Sequence, residues 1–266
     1  MKPITLLAVS GSCLALAGCC CGTAPLAVPP AEPVEAMYTA EPVKIDGVLD
    51  DAVWQKAKRY RLTRNPAWGP AEPGEVLTDF EPKESGEVMV AWDDEFLYVA
   101  ADMEDSDVVV MNTENQQHLY QSGDLVEVFL KPRNRTYYWE NYVTPYGNNS
   151  SFFIASRSYL TLPSLDNNPI RGLVTAGRTD GSINTTPDDL SASWSRDNGW
   201  QGEMAIPIAE LNKYDAKLDG TEPWTIFFGR YNYSMFLPNT ELSCYPALES
   251  LSYPLTDCYA PLVLVK

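Results

Sequence analysis

Two charged residues set among apolar neighbours give this sequence its sharpest chemical signals. In GDLVEVFLKP, residues 123–132, strand geometry places Asp124, Val126, Val128 and Leu130 on one face and Leu125, Glu127 and Phe129 on the other. Glu127 therefore stands in apolar company, where a carboxylate requires hydrogen-bond partners. The same count along WTIFFGRYNY, residues 224–233, groups Arg230 with Trp224, Ile226 and Phe228. Two readings stay open: Glu127 and Arg230 are a buried structural pair, or they present polar groups to the hydroxyls of a ligand.

Other constellations carry less. The chain has one histidine, His118, and no GxSxG-type nucleophile turn, so a serine or cysteine triad has no support. A pair of catalytic carboxylates needs only suitable separation, and nothing singles out one pair among 36 acidic residues. The reading is non-enzymatic. Asp102, Glu104, Asp105 and Asp107 cluster at a strand end and offer hard oxygen ligands suited to Ca²⁺, or form a solvated acidic turn. Cys244 and Cys258, separated by thirteen residues, are either one disulfide closing a C-terminal loop or two buried thiols.

The elements that must position these groups are strands. Alternation runs through VMVAWDDEFLYVAADMED, residues 88–105, with the turn pair Asp93-Asp94 in the middle, a hairpin signal. Further strands are expected at 137–144, 151–158, 173–178, 191–194, 200–206, 224–233 and 261–265, separated by clusters such as Pro145-Tyr146-Gly147-Asn148. Only 50–58 and 209–214 suggest helical turns. Residues 61–86, with four prolines, read as a long loop. The fold class is an all-β antiparallel β-sandwich, jelly-roll or immunoglobulin-like, with one or two short helices.

The N-terminus has a different character. Lys2, an apolar run over residues 4–16 and then Leu16-Ala17-Gly18-Cys19 resemble a bacterial lipoprotein leader, cut before a Cys19 that becomes lipidated. The run is shorter than the ~20 residues needed to span a bilayer, so the protein is expected to be anchored to a membrane through lipid alone. Cys20 replaces the aspartate that retains lipoproteins at the inner membrane in well-studied envelopes, which points to the outer membrane of a bacterial cell envelope. The expected division is a signal peptide at 1–18, a Pro/Ala-rich tether at 19–36 and one domain at 37–266. At ~3.1 Å per residue the fifteen-residue stretch 22–36 reaches up to about 45 Å from the lipid surface. The formal charge is −17, with 36 acidic against 19 basic residues. No basic stripe accompanies it, which excludes nucleic acid as a partner.

Taken in order, KIDGVLDDAVWQKA (44–57), the hairpin at 88–105, GDLVEVFLKP and WTIFFGRYNY resemble the family 9 carbohydrate-binding modules and their DOMON-like relatives. The resemblance implies a β-sandwich that binds sugar without catalysis, serves carbohydrate catabolism and partners a glycan or polysaccharide-degrading enzymes. In that family two aromatic rings sandwich the terminal sugar while carboxylate and amide groups bind its hydroxyls. The matching positions here are Tyr120 with Gln121 beside it, Glu127, Arg230 where the family has an amide, Tyr253, and Tyr142 near a further contact. No tryptophan stands at either sandwich position, a departure from the family's pattern. The family also carries structural calcium, for which Asp102, Asp105 and Asp107 are the candidates. DOMON-like relatives that bind haem give a second reading, with Met103, Met111 or His118 as axial ligands, although the chain has no CxxCH motif. Trp54 and Trp92 belong to motifs expected in the core.

Overall fold

A computed structural model describes residues 31–64, 81–156, 170–185, 196–248 and 252–266. The leader, Cys19, most of the tether, most of the 61–86 loop and the strand expected at 191–194 lie outside them.

Among the described residues the strands are β1 (Val34–Tyr38), β2 (Tyr60–Arg61), β3 (Gly86–Trp92), β4 (Phe96–Glu104), β5 (Leu125–Pro132), β6 (Tyr138–Val143), β7 (Asn149–Ile154), β8 (Val174–Asp180), β9 (Gly199–Pro207), β10 (Trp224–Asn232), β11 (Glu241–Tyr245) and β12 (Ala260–Val265). They run in the order β7-β6-β5-β10-β12-β1-β3-β4-β9-β8, with β11 on β10 and β2 on β3. Asp93 makes the expected hairpin turn: its Oδ1 accepts the Glu95 and Phe96 amides, both at 2.7 Å.

One strand departs from the antiparallel expectation. β1 lies parallel to both β12 and β3, an arrangement that needs a long crossover, here residues 39–85. Val34 and Ala36 are fully buried while Glu35 is exposed, a period of two that marks a strand. The domain thus begins by Val34, ahead of the expected Met37.

The sheet folds over on itself as a sandwich. Val126, Val128 and Leu130 of β5 and Trp224, Ile226 and Phe228 of β10 share one core with Val88 and Val90 of β3, Leu97 and Val99 of β4, and Met204 and Ile206 of β9. Both outer faces are also covered. Over β3 and β4 lies the 43–57 segment, with Leu49, Val53 and Trp54 packed on Met89, Ala91, Tyr98 and Ala100. Trp54 and Trp92 are buried, as expected. Residues 50–58 form turns rather than a helix, because Glu203 on β9 draws the segment onto the sheet. Its Oε2 accepts the Asp46 and Gly47 amides at 3.0 and 2.8 Å, and its Oε1 accepts Trp54 Nε1 at 2.9 Å. The second expected turn is the four-residue helix α1 (Ile208–Leu211). No helix of the described residues is long and apolar enough to cross a membrane.

The opposite outer face, across β5, β6 and β10, carries an aromatic cluster that includes Phe129, Tyr138, Tyr142, Phe152, Phe227, Tyr253 and Tyr259.

Candidate functional site

A cleft of about 440 Å³ opens over this aromatic face. Its floor follows from register. Glu127 on β5 lies opposite Tyr142 on β6, and Phe129 lies opposite Glu140. Facing pairs share a side of the sheet, so Glu127, Phe129, Glu140 and Tyr142 point the same way. On β10, Glu127 faces Gly229. A Cβ at Gly229 would stand 2.4 Å from the Tyr253 ring, so the glycine is what lets that ring lie against the floor.

The walls come from elsewhere. A 3-10 turn, Leu119–Gln121, presents Tyr120, whose ring centroid is 5.5 Å from that of Tyr231 on β10. The Tyr233 hydroxyl fixes this turn by donating to Tyr120 O at 2.7 Å. His118 stacks on Phe152 of β7 at 4.9 Å with planes 9° apart. Leu242, Ser252, Tyr253 and Pro254 complete the lining with Ile154.

Two carboxyls sit on this floor around one hydroxyl. Tyr142 donates to Glu140 Oε2 at 3.2 Å. Glu127 is 3% exposed. Burial pushes its carboxyl well above the usual range, the Glu140 charge adds to this, and the Tyr142 hydroxyl acts in the opposite sense. Burial, followed by the Glu127 charge, also raises the Tyr142 and Tyr231 phenols. Flat rings beside hydroxyl-binding groups suit a ring-shaped ligand with one apolar face and a polar edge.

Tyr120, Glu127, Tyr142 and Tyr253 are thus brought to one cleft. Gln121 is exposed at its rim, donating to the Tyr120 hydroxyl at 3.0 Å. Tyr253 is more than a wall: it is 5% exposed, and its hydroxyl lies 2.9 and 3.1 Å from the Arg230 and Ser243 carbonyls.

Arg230 is not in the cleft and is not the partner of Glu127. Its register partner is Val126, whose side chain faces the core, so the guanidinium lies on the other side of the sheet. There Nη2 meets Asp105 Oδ2 at 3.3 Å and donates to Glu104 O at 2.6 Å, while Nη1 donates to Glu84 O and Ser85 O at 3.0 and 3.1 Å. The calcium candidates have protein partners. Asp105 holds Arg230 and accepts the Asp107 amide at 3.0 Å. Asp107 accepts from Asn184 and, at 2.7 Å, from the Met235 amide. Asp102 accepts from Gln201 and Arg59 at 3.2 and 3.3 Å. Among the described residues no three acidic, histidine or cysteine side chains gather around a common point.

Cys244 and Cys258 are thiols rather than a disulfide. Both pack against the aromatic cluster, and burial pushes the Cys244 thiol up to about 12, so it behaves as a small apolar side chain. The axial-ligand candidates are also dispersed. Met103 is buried in the core beneath Gly86, whereas Met111 and His118 are exposed.

Sequence reasoning missed Tyr231, Glu140, Phe152 and Leu242. Parity held the signal for Tyr231: on β10 it must face opposite to Arg230, and so towards Glu127. A larger groove of about 800 Å³ lies elsewhere, lined by Glu87, Asp102, Glu104 and Asp180 among others. It lacks stacked rings, and the Asp102 carboxyl is already engaged.

Residues 45–220 match the family described as Carbohydrate family 9 binding domain-like. No curated protein is detectably similar in sequence. Among solved structures, a Bacteroides uniformis ATCC 8492 protein provisionally described as carbohydrate-binding is similar, with 13% identity and a TM-score of 0.60 over 90% of this chain and 100% of that one. A family 9 carbohydrate-binding module from Caldicellulosiruptor kristjanssonii in complex with glucose has 15% identity and a TM-score of 0.52, over 87% and 95%. The cellotriose complex of a family 9 module from that organism scores 0.50 over 87% and 92%.

Proposed function

Because the chain belongs to the family 9 carbohydrate-binding domains, we propose that its aromatic cleft is a non-catalytic glycan site, carried on a lipid-anchored envelope protein. The observation that carries this reading is the convergence of Tyr120, Tyr231 and Tyr253 on a floor bearing Glu127 and Glu140. Rings supply contact area to the apolar face of a sugar, and the carboxyls accept its hydroxyl protons. Family 9 modules from Caldicellulosiruptor kristjanssonii bind glucose and cellotriose, which makes the end of a β-linked glycan the natural first ligand to test. Anchorage through Cys19, placement at the outer membrane and a role beside polysaccharide-degrading enzymes follow from the leader and the family.

Calorimetric titration of the full chain with cello- and xylo-oligosaccharides tests the site. Binding that is lost in Tyr120→Ala and Tyr231→Ala supports it. Binding indifferent to both variants places the sugar elsewhere, and no binding to any glycan on a broad array leaves a structural lipoprotein. Cys19→Ala should release the protein from the membrane fraction, and a variant that stays processed and membrane-bound overturns the anchor.

A further inference from the structure

The cleft runs across the sheet. Its lining draws on five neighbouring strands, from Phe152 on β7 through Tyr142 on β6, Glu127 on β5 and Tyr231 on β10 to Leu242 on β11. Strands lie about 4.8 Å apart, so the four steps carry the lining about 19 Å over the face. One hexose has twelve heavy atoms and displaces less than twelve liquid waters, or about 360 Å³. The cleft, at about 440 Å³, exceeds that. Along it the rings form one line: successive centroids are 4.9 Å apart from Phe152 to His118, 5.9 Å to Tyr120, 5.5 Å to Tyr231 and 5.6 Å to Tyr253.

The β7 end of this line is firmly built. β7 ends the strand order, and the segment ahead of His118 is fastened along its outer side. The Gln116 amide donates to Asn149 O at 2.8 Å, its side-chain Nε2 donates to Ser151 O at 2.7 Å, and its Oε1 accepts the Ser151 amide at 3.1 Å. The Gln117 amide donates to Ser150 Oγ at 3.0 Å. Gln116 takes a φ of 60°, a left-handed conformation that a non-glycine residue keeps only where its surroundings hold it. His118, exposed and lining the cleft, is thereby set on the buried Phe152 ring. The pair is a second platform, at the other end of the line from Tyr231 and Tyr253.

We propose that the cleft takes the interior of a glycan chain lying across the strands, with one sugar ring on Tyr120, Tyr231 and Tyr253 and a later ring against His118 over Phe152. The inference rests on the glycan-binding reading above and specifies its ligand as a run of sugar units rather than a single terminal one. Apolar ring faces repeated along a line suit the repeated ring faces of a polymer. Glu127 and Tyr142, on the strands between the two platforms, meet sugar hydroxyls, which both donate and accept.

The test titrates the full chain with the di- and tetrasaccharides of the cello and xylo series, and with a soluble β-linked polymer of the sugar that binds. The tetrasaccharide is expected to bind about 10-fold more tightly than the disaccharide, and each polymer chain should take up many copies of the protein. His118→Ala, at an exposed position, should cut tetrasaccharide affinity about 5-fold or more while disaccharide affinity stays within about 2-fold. His118→Phe, which keeps a ring there, should retain the advantage of the longer ligand. Equal binding of the two lengths, one protein per polymer chain, or a tetrasaccharide advantage untouched by His118→Ala overturns the inference and leaves the glycan site standing. Absence of binding to every sugar defeats the glycan site and this inference with it.

Discussion

At the scale of single residues, the two charges that stand out in the sequence have unlike fates. Arg230 ties together the turn before β3 and the end of β4, and removing it strands Asp105 without a counter-charge. Arg230→Met is expected to cost about 3–5 kcal/mol, the range for breaking a buried pair, measured by chemical denaturation. Glu127 has no such counter-charge among the described residues, so Glu127→Gln, which keeps its shape, should leave the denaturation midpoint nearly unmoved. A large loss in Glu127→Gln would restore the discarded Glu127–Arg230 pair. Tyr253 lies between these cases. Tyr253→Phe keeps the ring on Gly229 but removes the hydroxyl from two buried carbonyls, for a loss of about 1–3 kcal/mol. The facing of Glu127 was legible, because strand parity is a strict rule. The placement of Arg230 was not, because parity fixes faces only within a strand, and the pairing of Arg230 with Val126 rather than Glu127 comes from the β5–β10 register. Glu140 and Phe152 were invisible for the same reason: their roles depend on the β5-β6-β7 register, which residue types alone do not fix.

At the scale of elements, strands with clean alternation were found in sequence nearly to their ends, as β6 and β12 illustrate. β1 was not, since VEAMY is short and adjoins a proline-rich stretch that reads as tether. Its burial makes a sharp expectation. A chain beginning at Met37 lacks Val34 and Ala36 and loses most of the β1–β12 register. Its melting temperature should fall well below that of a chain beginning at residue 31, and equal values would show β1 to be dispensable. The 43–57 segment invites a similar test. Glu203→Ala removes the acceptor for three donors, and hydrogen exchange at the Asp46 and Gly47 amides should rise by orders of magnitude while the β5–β10 pairing stays protected.

At the scale of the whole molecule, the buried carboxyls act in concert. Asp124 and Glu127 are raised well above their usual range by burial, Glu203 is raised, and Asp105 is pushed up to about 7 as burial outweighs the Arg230 charge. A carboxyl with a folded pKa above its unfolded one holds its proton more tightly when folded. Its stability contribution is complete below the unfolded value, near 4 for Asp105, and declines as pH rises to about 7. The melting temperature should therefore climb as pH is lowered from about 8 towards 5, helped by relief of self-repulsion in an acidic chain. A melting temperature that falls steadily over that interval would mean these carboxyls are ionised in the fold.

The parallel seam of β1 bears on mechanics. Any load carried by the chain ahead of Val34 enters the domain along β1, whose residues from Val34 to Met37 run in register with those from Leu262 to Val265. Neighbours lying in the same direction make such a pull slide the strand lengthwise, so its hydrogen bonds must yield together instead of peeling off singly. A protein tethered at that end while its far face grips an immobile polymer would be loaded in its most resistant direction.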